Sequence, residues 1–211
     1  MATKNISFSF SYTYETAGEI NSGTKTVWIV FHGYGQLAKF FIKKFECLVD
    51  SSTCVIAPQG LSRFYLSGFS GKTGATWMTG EGRDLDIKNY LTYLDAVYQQ
   101  EIGVHEHHLD IRILGFSQGA STASRWIVHK RLNFEKFILW GGFLAHEIDH
   151  SKAQKYFSGR NIYLVYGQED PFVGPEVKKN IKRKIKKLGL QPQVITFKGK
   201  HEIHTGTLLQ L

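Results

Sequence analysis

The feature that most constrains this chain is its alternation of short, continuously apolar runs with longer stretches of helical periodicity. The apolar runs are Thr26–Phe31, Cys54–Ala57, Phe137–Trp140 and Ile162–Tyr166, with Leu109–Leu114 and a last run, Gln193–Phe197, also read as strands. Between them, Leu37–Val49, Asp84–Gln100, Ala120–Lys130 and a basic stretch over 177–188 carry apolar residues three and four positions apart. Strands that are apolar on both faces must be covered on both faces, which predicts an α/β fold: a mainly parallel central sheet with helices on either side. Right-handed crossovers then carry the ligand site to the carboxyl ends of the strands. Ile6–Tyr14 alternates polar and apolar residues and predicts an antiparallel strand at the sheet edge. A length of 211 residues, with no linker or internal repeat, predicts one domain over 1–211.

Chemistry concentrates where these runs end. Gly115-Phe116-Ser117-Gln118-Gly119 stands between a strand and a helix, which suits a serine held in a strained turn between neighbours almost without side chains. A serine hydroxyl is a weak nucleophile and needs a histidine base that is in turn oriented by a carboxylate. Downstream strand ends supply both: Asp170, with Glu169 as competitor, in Gly167-Gln-Glu-Asp-Pro, and His201, with His204 as competitor, in Gly199-Lys-His-Glu-Ile-His. The order Ser117, Asp170, His201 is the α/β-hydrolase order. Two backbone amides are expected to receive the oxyanion: that of Gln118, and that of Tyr34 in the loop His32-Gly-Tyr-Gly.

The glycine-rich stretch 67–82 is too irregular for a regular element, and Phe69, Trp77 and Met78 within it are expected to form an apolar substrate wall facing Ser117. The competing expectation is that they pack beneath the loop as core. His146-Glu-Ile-Asp-His150 matches a zinc motif, and His105, His107 and His108 form a second histidine cluster. Neither has a suitably spaced further ligand in a helical setting, so surface turns are expected and no metal or cofactor is assigned. The formal charge of +8 invites a nucleic-acid reading, yet seven cations fall within 178–187, leaving +1 for the rest of the chain. That segment is expected to be an amphipathic helix with a solvated cationic face and Lys182 and Lys186 remote from the site, not a nucleic-acid surface. The two cysteines, Cys47 and Cys54, do not form a disulfide framework, and the amino terminus lacks a signal-peptide pattern, so a cytoplasmic protein without a membrane span is expected.

Taken together, His32-Gly-Tyr-Gly, Ala57-Pro-Gln-Gly, Trp77, Gly115-Phe-Ser-Gln-Gly, Gly167-Gln-Glu-Asp-Pro-Phe-Val and Gly199-Lys-His-Glu-Ile resemble the phospholipase/carboxylesterase family of α/β-hydrolases, which includes the acyl-protein thioesterases. The likeness runs over nearly the whole chain in the family's order. It implies a cofactor-free serine esterase acting on a small-molecule or lipid ester or thioester, with Ser117, Asp170 and His201 as its triad. This sequence departs from the family at Gln36, where an acidic residue is common, at Thr79–Gly80, and in its short segment after Thr205. A dienelactone-hydrolase-like or peptidase activity, and an idle hydrolase fold used for binding, are the alternatives; the latter should lack a triad member.

Overall fold

The computed structural model describes residues 2–211, apart from the side chains of Val104, Glu106 and His107. In chain order the elements are β1 (Tyr14–Ala17), β2 (Thr26–Phe31), α1 (Ala38–Phe41) running into a 3-10 helix (Ile42–Leu48), and β3 (Thr53–Pro58). Next come β4 (Ser62–Tyr65), β5 (Thr73–Thr76), α2 (Arg83–Glu101), a 3-10 turn (Gly103–His108), β6 (Asp110–Phe116) and α3 (Gln118–Lys130). The chain ends with β7 (Lys136–Trp140), α4 (His150–Phe157), β8 (Asn161–Gly167), α5 (Pro175–Leu188), β9 (Gln193–Phe197) and α6 (Thr205–Leu208).

Seven strands form one sheet in the order β1-β3-β2-β6-β7-β8-β9. Every pairing in it is parallel except that of β1 with β3. The apolar runs behave as their composition requires. Along β2, Val27, Ile29 and Phe31 enter a core with residues of α2, α3 and α4, while Trp28 and Val30 point to the opposite face and pack with Phe41, Phe45 and Leu208. A strand alternates its side chains between faces, so a run that is apolar throughout is stable only between two helical layers.

The expected strand over Ile6–Tyr14 is displaced: pairing begins at Tyr14, and Ile6, Phe8 and Phe10 are exposed. The antiparallel register explains why. Tyr14 lies opposite Pro58, which lacks an N–H, so any longer ladder would have to continue along Gln59 and Gly60. Their amides are already committed, Gln59 N to the Tyr93 hydroxyl at 3.1 Å and Gly60 N to His32 Nε2 at 2.9 Å.

Part of the stretch expected to be irregular is also ordered. β5 pairs with β4 as a separate antiparallel hairpin, which the glycines at 68, 71 and 74 conceal in the sequence. The hairpin is bonded to the loop after β2, with Gly35 N donating to Ala75 O at 2.8 Å and Ala75 N to Gln36 O at 3.2 Å. A Cβ at Gly74 would lie 2.4 Å from the Gly35 carbonyl oxygen, so only glycine admits this approach.

Candidate active site

Five loops at the carboxyl ends of β2, β6, β7, β8 and β9 converge, and these strands are neighbours in the sheet. The turn after β6 holds Ser117 at φ 54°, ψ −117°, a conformation that L residues rarely adopt. The surroundings fix it there. Ser117 N donates to Trp140 O at 2.8 Å, and the two flanking glycines allow α3 to press onto the sheet. A Cβ at Gly115 would lie 2.4 Å from Ala120 Cα, and one at Gly119 would lie 2.2 Å from Phe31 O and 2.7 Å from His32 O. The glycines of the motif are therefore demanded by close backbone packing on both sides of the serine.

Asp170 and His201 meet beside this turn. His201 Nδ1 donates to Asp170 Oδ2 at 2.7 Å, and the Asp170 side chain is only 1% exposed. Its other oxygen, Oδ1, accepts from Phe172 N at 2.8 Å. The loops that carry the two residues are joined, since Gln168 N donates to Phe197 O at 2.8 Å and Glu169 N to Gly199 O at 3.0 Å. The imidazole lies against Phe116, with ring centroids 4.7 Å apart, and meets Phe172 edge-on at 4.8 Å. Trp140 Nε1 donates to Glu202 O at 2.8 Å and ties the histidine loop to β7.

The competing residues take other places. Glu169 is exposed, whereas His204 caps α6: its Nδ1 accepts from Thr207 N at 3.2 Å, and its ring stacks on Phe197.

The loop after β2 comes within reach of the serine on the opposite side. A Cβ at Gly33 would lie 3.2 Å from Ser117 Cβ, which places the backbone of Gly33 and Tyr34 next to the nucleophile position. Gln36 closes this loop: Gly33 N donates to Gln36 Oε1 at 2.8 Å and Gln36 N to Gly33 O at 3.2 Å. The Gly33 amide is therefore occupied. Gln118 opens α3, where the first amides of a helix have no intrahelical acceptor. Its side chain is tied to the end of β5, accepting from Trp77 N at 3.2 Å and donating to Met78 O at 3.1 Å.

Phe69, Trp77 and Met78 do not form the expected wall. Trp77 is fully buried, donates from Nε1 to His32 O at 2.9 Å and packs on Phe31, His32 and Tyr90. It is core, because the β4–β5 hairpin turns its ring inward beneath the loop after β2. Phe69 is 96% exposed at the hairpin tip, and Met78 is half-buried against the main core.

Two further residues of the site escaped sequence reasoning. His32 is fully buried, its Nδ1 donating to Gly33 O at 2.8 Å while Nε2 accepts from Gly60 N at 2.9 Å, so it braces the loop as a neutral imidazole. Burial lowers its pKa to about 4, against a smaller opposing effect of the Gly33 carbonyl. Gly141, at φ 59°, is the other: a Cβ there would lie 2.8 Å from His201 Cε1. The pair Gly141-Gly142 after an apolar run was its only sequence signal.

The zinc-like motif dissolves in the structure. His146 precedes α4 and His150 is its first residue, with Asp149 as N-cap accepting from Lys152 N at 2.9 Å. Glu147 pairs with Arg125 and, at 3.1 Å, with Arg83. Desolvation would raise its pKa, but hydrogen bonds from Arg125 and its own amide, with the charges of Arg125 and Arg83, outweigh it and hold the carboxyl at about 2. No three potential ligands gather to hold a metal ion among the described residues, and the side chain of His107 in the second histidine cluster lies outside them. No helix among the described residues is long and apolar enough to cross a membrane.

The phospholipase/carboxylesterase family model matches residues 18–210. Solved structures share the fold at low identity. The chain is similar to acyl-protein thioesterase 2 of Zea mays, at 14% identity and a TM-score of 0.65, with 94% of this chain and 95% of that one covered. Esterase PE8 gives 19% identity and a TM-score of 0.64, over 93% and 97% of the two chains. The Bacillus cereus carboxylesterase gives 13% and 0.59, over 93% and 90%. A comparison with curated proteins found no match.

Proposed function

We propose that this chain, which belongs to the phospholipase/carboxylesterase family, hydrolyses carboxylic esters or thioesters through an acyl-enzyme on Ser117. The observation that carries the reading is the bond from His201 Nδ1 to the buried Asp170 carboxylate beside the strained turn that holds Ser117. With its Nδ1 proton committed to Asp170, His201 keeps a free lone pair on Nε2. In this mechanism Nε2 takes the Ser117 hydroxyl proton as Oγ bonds to the substrate carbonyl carbon. The negative charge that develops on the carbonyl oxygen is met by the amides of Tyr34 and Gln118. Collapse breaks the bond to the alcohol or thiol, which leaves with the proton from His201. Water then repeats the sequence on the acyl-enzyme, releasing the carboxylic acid and restoring Ser117. No step draws on a cofactor. A cytoplasmic location belongs to the same proposal, supported by two free thiols, Cys47 exposed and Cys54 buried.

A panel of p-nitrophenyl esters and acyl thioesters of increasing chain length, turned over by the wild type and Ser117→Ala, tests the reading. The variant is expected to lose several powers of ten in kcat with its melting temperature kept, since the attacking atom is gone. Turnover retained in pure Ser117→Ala would refute it.

A further inference from the structure

The basic helix is not wholly remote from the site. A cavity of about 350 Å³ runs from Gly141 and Phe172, both against His201, to the side of α5, where Asn180, Ile181 and Lys184 line it. That is within the size range of small-molecule sites. Phe143, Leu164 and Val173 make most of the remaining wall apolar. A second cavity, of about 230 Å³, shares Phe143 and Lys184 and continues to Lys187. Its one carboxylate, Asp149, is already accepting from the Lys152 amide at 2.9 Å.

The first cavity has one charged lining residue, Lys184. Lys184 forms no ion pair among the described residues. Asn180 accepts from Arg183 at 3.1 Å through Oδ1 and can offer its NH₂ donor to a ligand. Tyr166 adds a hydroxyl. An apolar slot that ends in an ammonium and an amide donor suits a short aliphatic group ending in an anion.

Chemistry assigns the slot to one half of the substrate. The histidine must hand its proton to the departing heteroatom, so the alcohol or thiol half lies on the His201 side of Ser117. The Tyr34–Gln36 loop bounds the other side, where a separate cavity of about 570 Å³ opens beside Gly35 and Gln36.

We propose that the cavity between Gly141 and Lys184 is a leaving-group site that selects esters or thioesters of an anionic alcohol or thiol. This rests on the hydrolase reading above and narrows it. The test uses S-butanoyl thioesters of 3-mercaptopropionate, of its neutral amide, and of 2-mercaptoethylphosphonate, with the succinyl thioester of the neutral amide as the arm that moves the anion to the acyl half. Released thiol is followed in the wild type, Lys184→Glu and Lys182→Glu, with melting temperatures recorded. The wild type is expected to favour an anionic thiol over the neutral amide by about fivefold in kcat/KM, the size of one exposed charge pair. The preferred arm, carboxylate or phosphonate, identifies the anion. The ratio should fall below one in Lys184→Glu, where a carboxylate repels the anion, persist in Lys182→Glu and shrink as salt is raised. Equal rates for anionic and neutral thiols, a preference untouched by Lys184→Glu, or a preference only for the succinyl arm would each overturn the assignment. Failure to cleave any thioester or ester would instead overturn the hydrolase reading, and this one with it.

Discussion

Replacing Asp170 by asparagine tests the proposed base directly, because the structure dictates which way the new amide must turn. Asp170 Oδ1 accepts from Phe172 N and Oδ2 accepts from His201 Nδ1, and the Asp170 side chain is only 1% exposed. An asparagine can satisfy Phe172 N only with its oxygen, which turns its NH₂ toward His201. His201 must then accept at Nδ1 and carry its proton on Nε2, the atom that has to take the serine proton. The flipped amide would rescue the tautomer, but it would set the NH₂ against the Phe172 N–H, two donors facing each other in a buried site, at a cost of about 1–3 kcal/mol. The wrong tautomer therefore dominates, costing roughly 5- to 150-fold in rate, and with the carboxylate charge that stabilises the imidazolium also gone a loss of about 10⁴ in kcat is expected, equivalent to about 5.4 kcal/mol. Initial rates on a p-nitrophenyl ester at neutral pH, with melting curves and far-UV circular dichroism as folding controls, measure this. Glu169→Gln, at the exposed neighbour, should stay within twofold. A loss below tenfold in Asp170→Asn, or a comparable loss in Glu169→Gln, would refute the reasoning.

Gly119→Ala would force a Cβ to 2.2 Å from the Phe31 carbonyl oxygen. Strain of about 3 kcal/mol should lower the melting temperature by about 10 °C, and a calorimetric shift under 2 °C would show that α3 can move away freely. His32 should make the fold acid-sensitive. Its pKa is lowered from 6.5 to about 4 by burial, so below pH 6.5 the unfolded chain binds a proton that the folded one refuses. Stability should fall by about 3 kcal/mol as pH drops from 6.5 to 4, and denaturant titrations across that window should show a smaller slope in His32→Gln.

What the sequence made legible was whatever depends on local pattern. Thr26–Phe31 is a strand with the predicted bounds, and α2 and α3 lie within two residues of theirs, because a run that is apolar on every face, or at every third and fourth position, has few ways to bury itself; Gln193–Phe197 keeps its bounds too, as an edge strand that buries only Phe197. The choice between Asp170 and Glu169 lies beyond such patterns. Both stand in one turn after β8, and which carboxylate faces inward follows from Glu169 N being held by Gly199 O, a contact between loops that no periodicity encodes. Trp77 was misjudged for the same reason: glycines on either side suggest a mobile loop, yet its indole N–H bonds to His32, 45 positions earlier. The same bond explains why the oxyanion loop can be rich in glycine and still hold its shape. Gly33 and Gly35 bring no side chains of their own, so rigidity has to come from beneath, from His32 locked between the Gly33 carbonyl and the Gly60 amide, from Trp77 packed against it, and from the β4–β5 hairpin bonded to Gly35 and Gln36. The neutral imidazole is the member of that support most easily lost. Protonating it would replace the acceptor that Gly60 N needs with a second donor, so the brace under the Tyr34 amide should fail near the pH at which His32 finally charges, before the sheet itself unfolds.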